Sequence, residues 1–346
     1  MTLNVALLGY GLAGASFHAP LIAVEPRMRL ARVVTSRNAE VVRSFPSAVV
    51  STDAESAIRA PDIDVVVIAT PNNTHAPLAR AALLAGKHVV IDKPFVGDAA
   101  EGAELIALAR EQKRTLTVFH NRRWDGDFLT VTKLVREGRL GEIRHAEFRW
   151  DRFRLEIRDG WREAPDEGNG VLADLGPHLI DQALELFGTP DNVMGDIAHQ
   201  RTDTRVDDYF ELTLHYGAKR VILSASTLIA EPRPRFALHG DSGSFVKHGI
   251  DPQEPFLRAG GSPLDSDYGI EAAIAHGLLT DAVGRHPVST ERGDWPVFYR
   301  RVADAILDGA LPPVDPADAV TGLAIIDCAR RSVHEGRLLR FVPPQS

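Results

Sequence analysis

The feature that most constrains the fold is a glycine-rich turn, Gly9-Tyr-Gly-Leu-Ala-Gly14, which directly follows an apolar segment at residues 5–8. Gly9 permits a tight turn, Gly11 lets the backbone approach a pyrophosphate, and Gly14 allows a helix to pack closely on a strand. The N-terminus of the helix that follows offers unpaired N–H groups to phosphates. The turn, including Leu12, therefore predicts a dinucleotide-binding site. The alternative is a glycine turn between two core elements.

Alternating apolar and helical segments continue through the first third of the chain. Further apolar runs lie at residues 30–34, 65–69, 89–91 and 116–119, and helical patterns lie at 78–85 and 99–113. Short apolar strands separated by helices are typical of a parallel sheet that is buried on both faces. We therefore expect an α/β, doubly wound Rossmann domain over residues 1–120.

The pattern changes after residue 120, where strands begin to follow one another. Helices are predicted at residues 127–137, from near Pro177 to Gly188, at 296–307 and at 316–335. Strands are predicted at residues 143–150, 209–216, 220–227, 235–239 and 244–248. A loop is predicted at residues 251–267. Strands in series, without helices between them, indicate an α+β domain with a large, mostly antiparallel open sheet. We assign residues 121–346 to this second domain, which would bind the substrate.

Composition excludes several classes of partner. The net charge of −8 argues against a nucleic-acid binder, because phosphate binding requires a basic surface. Cys328 is the only cysteine and no His-Glu-x-x-His motif occurs, so no metal site is predicted. No run approaches 18 apolar residues, and residues 1–8 lack the basic and apolar regions of a signal peptide. We expect a cytoplasmic protein that binds a small molecule and no membrane.

The end of the second predicted strand distinguishes NAD from NADP. NAD sites usually place an acidic residue there, about 20 residues after the glycine loop. This chain has Thr35-Ser36-Arg37 instead. The Ser36 hydroxyl and the Arg37 guanidinium suit a 2′-phosphate, so the pattern favours NADP, with NAD as the alternative. Arg37 as a solvated surface residue, or stacked on adenine, stays open.

Four motifs in order resemble the Gfo/Idh/MocA oxidoreductase family. They are the glycine turn, residues 69–75 (ATPNNTH), residues 86–94 (GKHVVIDKP), and Trp161-Arg162 followed by residues 168–181. Residues 17–20, 120–125 and 206–210 resemble a branch of NADP-dependent scyllo-inositol dehydrogenases and uncharacterised relatives. The resemblance implies hydride transfer between nicotinamide and a secondary alcohol or ketone of a cyclic polyol or sugar. The alternatives are another sugar or inositol isomer as substrate, or a sensor that binds NADP and a sugar without catalysis.

The resemblance also implies the catalytic residues and the assembly. It places Lys93 beside the nicotinamide, with Asp174 and His178 facing it from the second domain, whose open sheet would form a homodimer or homotetramer. In this arrangement Lys93 would bind the substrate oxygen and His178 would take up the hydroxyl proton, oriented by Asp174. Pro177 is expected at the first helical position, so that Asp174 and His178 share one face of the helix entrance. Asp92 departs from the glutamate that the family usually has before the lysine.

Further residues are predicted ligands, each with a structural alternative. The predicted cofactor contacts also include Thr70, Pro71, Asn72, His75, Trp161 and Arg162, and the predicted substrate contacts also include Asn121, Arg122 and Asp181. Arg122 as a hinge salt bridge, His75 as a helix-start residue and Asp181 as an internal hydrogen-bond acceptor stay open. Arg152 and Arg154 either meet a charged substrate or pair with nearby acids.

Overall fold

The computed structural model describes residues 1–157 and 169–344 and contains two sheets. The first sheet has six parallel strands in the order β3-β2-β1-β4-β5-β6. Its strands are β1 Leu3–Leu8, β2 Met28–Val34, β3 Val49–Ser51, β4 Val65–Ile68, β5 His88–Ile91 and β6 Leu116–Val118. The strand order reverses between β1 and β4, and ligands of such sheets bind at the carboxyl ends of the strands at this point. The predicted Rossmann sheet is confirmed.

Helices cover both faces of this sheet. They are α1 Ala19–Val24, preceded by a π-helical turn at Gly14–His18, α2 Asn38–Ser44, α3 Ala54–Arg59, α4 His75–Leu84 and α5 Ala99–Gln112. Asp53 and Asp98 cap α3 and α5, since each side chain accepts a hydrogen bond from a backbone N–H of the first turn. The strands β1, β4, β5 and β6 are almost wholly buried, as expected for a parallel sheet between helical layers.

The second sheet has nine strands in the order β14-β13-β12-β11-β7-β10-β9-β8-β15. Its strands are β7 Ile143–Arg149, β8 Asn192–Ala198, β9 Tyr209–Tyr216, β10 Lys219–Ser226, β11 Phe236–Gly240, β12 Gly243–Lys247, β13 Gly277–Asp281, β14 Gly284–Val288 and β15 Leu339–Arg340. Only the β7–β10 pair is parallel among the described strand pairs, so the predicted mostly antiparallel sheet is confirmed. The accompanying helices are α6 Gly126–Arg136, α7 Val171–Phe187, α8 Gln253–Arg258, α9 Pro296–Leu307 and α10 Pro316–Glu335.

Two local predictions were wrong. Pro177 does not begin a helix but lies inside α7, which starts at Val171. Asp207 explains the earlier start, because its carbonyl accepts the N–H of Val171 at 2.9 Å and its carboxylate accepts the N–H of Leu172 at 2.6 Å. The segment 251–267 is not a continuous loop either, because it contains α8, near whose start the Asp251 carboxylate accepts the N–H of Gln253 at 2.8 Å.

The last two long helices join the domains. Trp295, Phe298 and Tyr299, at the start of α9, belong to the same buried core as the inner face of the first sheet. Helix α10 contacts α5 of the first domain and α7 of the second. The first core therefore recruits side chains from far beyond residue 120. In the described part of the chain, no helix combines the length and the apolar character that a bilayer span requires.

Candidate active site

The glycine turn has the geometry that a bound pyrophosphate requires. A Cβ atom on Gly9, whose φ is +95°, would lie 2.4 Å from the Ala69 carbonyl oxygen, and one on Gly14 would lie 2.2 Å from the Gly9 carbonyl oxygen. Both positions therefore exclude any larger residue. A Cβ atom on Gly11 would meet no atom within 4 Å, so its outer side is open space where a phosphate fits. Leu12 is partly exposed beside it. These residues fit a dinucleotide.

Ser36 and Arg37 lie just beyond the end of β2, beside this turn. The N–H of Gly9 donates to the carbonyl of Val34 at 3.0 Å, which ties the turn to the end of β2. The Arg37 guanidinium is 53% exposed and lies 3.7 Å from the Glu40 carboxylate. An exposed ion pair of this length contributes little free energy. The guanidinium can therefore exchange this partner for a phosphate.

The segment after β4 lies at the same edge of the sheet. Thr70 shares a 2.6 Å hydrogen bond with Thr74, and Pro71 precedes a short 3-10 turn at Asn72–Thr74. His75 is buried, and its two ring nitrogens lie 2.9 Å from the Pro94 carbonyl and 3.0 Å from the Thr70 carbonyl. His75 thus connects this segment to the one that carries Lys93, and it is also the first residue of α4, as the helix-start alternative expects.

Lys93 and Asp174 meet across the cleft between the domains. The Lys93 peptide N–H donates to its neighbour Asp92 at 2.8 Å, and the Lys93–Pro94 peptide is cis. The Lys93 ammonium donates to a carboxylate oxygen of Asp174 at 2.9 Å and to its carbonyl at 2.8 Å. Arg152 donates to the other carboxylate oxygen at 3.2 Å. Asp174 therefore holds two cations at the mouth of the cleft.

His178 lies one turn further along α7 and is 6% exposed. Among the described residues, its Nδ1 has no hydrogen-bond partner. Burial, together with the positive charges of Lys93 and Arg122, holds the pKa of His178 well below its usual value. The imidazole is therefore neutral and able to accept a proton. Asp174 was expected to orient His178. The charges that shift the pKa of His178 come from cations, and the described hydrogen bonds of the Asp174 carboxylate are with Lys93 and Arg152.

Asn121, Arg122 and Asp181 are buried near this centre. Arg122 pairs with Asp125 at 3.3 Å and with Glu254, and its guanidinium stacks 4.3 Å from the ring centroid of Trp150. The structure thus contains the salt bridge that was the alternative for Arg122. Asp181 accepts a two-point contact from Arg123, at 3.0 Å from Nε and 2.7 Å from Nη2. Burial raises the pKa of Asp181, but the Arg123 cation outweighs it, so that the pKa is lowered.

Asp92, where the family has glutamate, faces a buried histidine. The Nδ1 of His18 shares a 2.6 Å hydrogen bond with the Tyr299 hydroxyl, and its Nε2 lies 3.9 Å from the Asp92 carboxylate. Burial would raise the pKa of Asp92, but His18 and Lys93 together lower it. The shorter acid therefore stays ionised beneath Lys93.

His18, His120, Arg123, Trp150 and Tyr299 also belong to this region, although no site role was predicted for them; three of them lie in the segments 17–20 and 120–125 that carry the family resemblance. Only tertiary packing brings them together, and no spacing in the chain signals it. Arg152 was considered, and it pairs with the acid Asp174. Trp161 and Arg162 lie outside the described residues.

Two family models match the chain. The oxidoreductase family with an NAD-binding Rossmann fold matches residues 3–120, and the GFO/IDH/MocA C-terminal domain matches residues 128–246. The chain is 43% identical to the uncharacterised oxidoreductase YdgJ of Escherichia coli, over 94% of each protein. It is 39% identical to the scyllo-inositol 2-dehydrogenase (NADP(+)) IolW of Bacillus subtilis, over 98% of this chain and 96% of the relative.

Solved structures agree over the whole length. A crystal structure from Klebsiella pneumoniae, 44% identical, superposes with a TM-score of 0.91 over 98% of this chain and 95% of its own. The protein YvaA of Bacillus subtilis, 38% identical, superposes with a TM-score of 0.95 over 99% of both chains.

Proposed function

Since this chain belongs to the Gfo/Idh/MocA oxidoreductase family, we propose that it is an NADP-dependent dehydrogenase of a cyclic polyol, with scyllo-inositol as its first candidate substrate. The observation that carries the proposal is the meeting of Lys93, from the first domain, with Asp174 and His178 from the second. All three lie at the carboxyl edge of the parallel sheet, where the glycine turn also lies.

Oxidation of a secondary alcohol requires a proton acceptor and a stabiliser of negative charge. His178, neutral and buried, would accept the hydroxyl proton. The Lys93 ammonium, held in place by Asp174, would donate a hydrogen bond to the substrate oxygen as charge develops on it. Bound NADP would supply the acceptor for the hydride that leaves the same carbon. In the reverse direction His178 would return the proton to the oxygen.

The choice of NADP rests on the end of β2. Ser36 and Arg37 stand where an NAD site usually has an acid, and the exposed guanidinium suits a phosphate. The Bacillus subtilis relative is named as an enzyme that uses NADP(+). Thr70, Pro71, Asn72, His75, Trp161 and Arg162 remain proposed contacts on the nicotinamide side, and Asn121, Arg122 and Asp181 remain proposed substrate-side residues.

The substrate proposal is supported by a further relative, and the assembly proposal is supported by one face of the second sheet. The inositol 2-dehydrogenase of Rhizobium meliloti is 27% identical over 97% of this chain and 98% of its own length. On the second sheet, Glu147, Thr213 and Ile222 stand side by side on the face turned away from the core and are partly exposed. We propose that this face joins two copies in a homodimer or homotetramer, and that the protein acts in the cytoplasm, where a single thiol stays reduced.

A spectrophotometric screen tests the proposal. Purified protein is mixed with NADP or NAD and with each of several inositols and aldoses, and formation of the reduced cofactor is followed by its near-ultraviolet absorbance. We expect steady turnover with NADP and scyllo-inositol at alkaline pH. Turnover only with an aldose would identify the aldose as the substrate instead of scyllo-inositol. Binding of cofactor without turnover on any polyol or sugar would contradict the proposal that the protein is an enzyme.

A further inference from the structure

A small cavity lies beside the segment of α7 that carries His178. Its lining includes His120, Pro177, Asp181 and Asp318, and it is placed between α7 and α10. It has room for about one water molecule. Pro177, the residue that precedes His178 in α7, forms one wall of the cavity.

Alcohol oxidation leaves a proton at His178, which is buried. Bound cofactor and substrate would cover the cleft side of this residue during turnover. Each catalytic cycle must nevertheless return His178 to its neutral form. A path for the proton is therefore required on another side of the ring.

His120 is placed to provide that path. It lies two residues after the end of β6, is 4% exposed, and its ring centroid lies 6.3 Å from that of His178 with the rings nearly perpendicular. Within residues 1–157 and 169–344, neither histidine has a partner at Nδ1. A buried polar atom without a partner costs free energy, so two of them on neighbouring rings need an explanation.

We propose that His120 relays the proton from His178 to a water molecule in this cavity, and that the proton leaves at Asp318. The inference rests on the proposed function. Asp318 also lines the cavity, and its side chain is 43% exposed. The two rings share no hydrogen bond at rest, so the proton crosses when they turn toward each other: one N–H bond of His178 breaks as one forms on His120, which releases its second ring proton to the water. The water passes a proton to the carboxylate and from there to solvent. These steps transfer protons only, without a change of oxidation state. When the enzyme reduces a ketone, the protons follow the same path in the opposite direction.

The surrounding charges suit a ring that is neutral at rest. Burial lowers the pKa of His120, Asp181 and Asp318 oppose the shift, and Arg123 and Lys93 add to it. His178 on α7 also faces this ring. Because both histidines are disfavoured as cations, a proton does not rest on either of them. Arg123 binds both Asp181 and Asp318, at 2.7 Å and 2.9 Å, which fixes the wall of the exit.

His120→Phe tests the relay, because phenylalanine keeps a ring but carries no proton. For polyol oxidation in dilute buffer we expect kcat to fall roughly tenfold or more, while the KM values for polyol and NADP stay unchanged. The solvent deuterium isotope effect on kcat should rise, and added imidazole should restore part of kcat. His286→Phe, a change of the same kind on the partly exposed strand β14, should leave all four quantities unchanged.

Two further measurements keep the test decisive. Asp318→Asn keeps a hydrogen-bond acceptor for Arg123 but cannot hold the proton, so it should show the same isotope effect in a milder form. If His120→Phe does not fold, His120→Gln replaces it. An unchanged kcat and isotope effect in a folded His120 variant would overturn the relay alone. A wild-type protein that oxidises no polyol or sugar would overturn both the relay and the proposed function.

Discussion

The Lys93 ammonium lies 2.9 Å from the Asp174 carboxylate, although the two residues are 81 positions apart and belong to different domains. This amine and this acid bind each other in the free protein, and under the proposed function the Lys93 ammonium would also donate a hydrogen bond to a substrate oxygen. Helix α9, which packs on the first core, and helix α10, which contacts both domains, hold the two domains in this relation.

The glycine turn offers a matched pair of substitutions. In Gly11→Ala the new methyl group meets no protein atom within 4 Å, so we expect an unchanged melting temperature and a dissociation constant for NADP raised at least about tenfold. In Gly14→Ala the methyl group lies 2.2 Å from a backbone oxygen, so the free energy of unfolding should fall by about 1–3 kcal/mol. Thermal melting and cofactor titration check both. Normal binding of NADP by the Gly11→Ala protein would show that the pyrophosphate does not bind at this turn.

Arg37→Ala tests the choice of cofactor. Loss of a guanidinium–phosphate contact should raise the KM for NADP roughly tenfold or more, because hydrogen bonds to charged groups contribute about 1.5–3 kcal/mol. The KM for NAD should change little. Arg59→Ala is the control, since Arg59 is also exposed and also pairs with a glutamate, Glu55, at 2.9 Å. An equal rise for both cofactors would indicate stacking on adenine instead of phosphate recognition.

The low pKa of His178 predicts the acid side of the pH profile. The neutral ring is the active form for oxidation, and a pKa lowered by burial and nearby cations keeps it neutral well below the usual value of about 6.5. We therefore expect kcat/KM for the polyol to show no loss due to this group between about pH 6.5 and 8. A pH–rate series in constant ionic strength measures it. An inflection at or above pH 6.5 that disappears in His178→Gln would contradict the assigned environment.

His88 predicts a loss of stability in acid. Its Nδ1 accepts the N–H of Thr115 at 3.0 Å, and burial with the Arg114 cation lowers its pKa to about 4. The unfolded chain, with a pKa of about 6.5, binds the proton first, so the free energy of unfolding falls as the pH drops below that value. This one group should cost about 2 kcal/mol at pH 5. His88→Asn, which keeps an acceptor for Thr115, should make stability less dependent on pH over this window in urea titrations. An identical pH dependence in both proteins would rule His88 out as its source.

The regular elements of the fold were predictable from sequence only in part, and α2, α3, β8, β13 and β15 were not predicted. Five strands of the parallel sheet appear as short apolar runs because they are buried on both faces. Strand β3 was missed because its three residues are partly exposed and too few to show a pattern. Strand β14 was missed because Pro287 lies within it, which only an edge strand tolerates.

The site was predictable only in part. The glycine turn follows from residue chemistry, whereas Lys93, Asp174 and His178 were assigned from the family resemblance, since a lysine before a proline carries no signal by itself. The predicted start of α7 was wrong because Asp207, a distant residue, satisfies the first N–H groups of the helix. The contacts of His120 with His178 depend on packing between segments that no local pattern relates.

Lys93→Met is the variant that isolates the central contact. Methionine keeps an unbranched side chain one atom shorter and removes the donor, and Asp174 retains Arg152 as a partner. Lys133→Met, at an exposed lysine that pairs with Glu291 at 2.6 Å, is the matched control. Both proteins should fold and bind NADP as the unmodified chain does.

The most direct measurement is the rate of NADPH formation by these two variants with saturating NADP and scyllo-inositol. We expect kcat of Lys93→Met to fall about 10²–10³-fold, the loss seen when one donor to a developing oxyanion is removed, while Lys133→Met keeps the full rate. Unchanged turnover by Lys93→Met with normal NADP binding would contradict the role of Lys93, and with it the assignment of this cleft as the catalytic site.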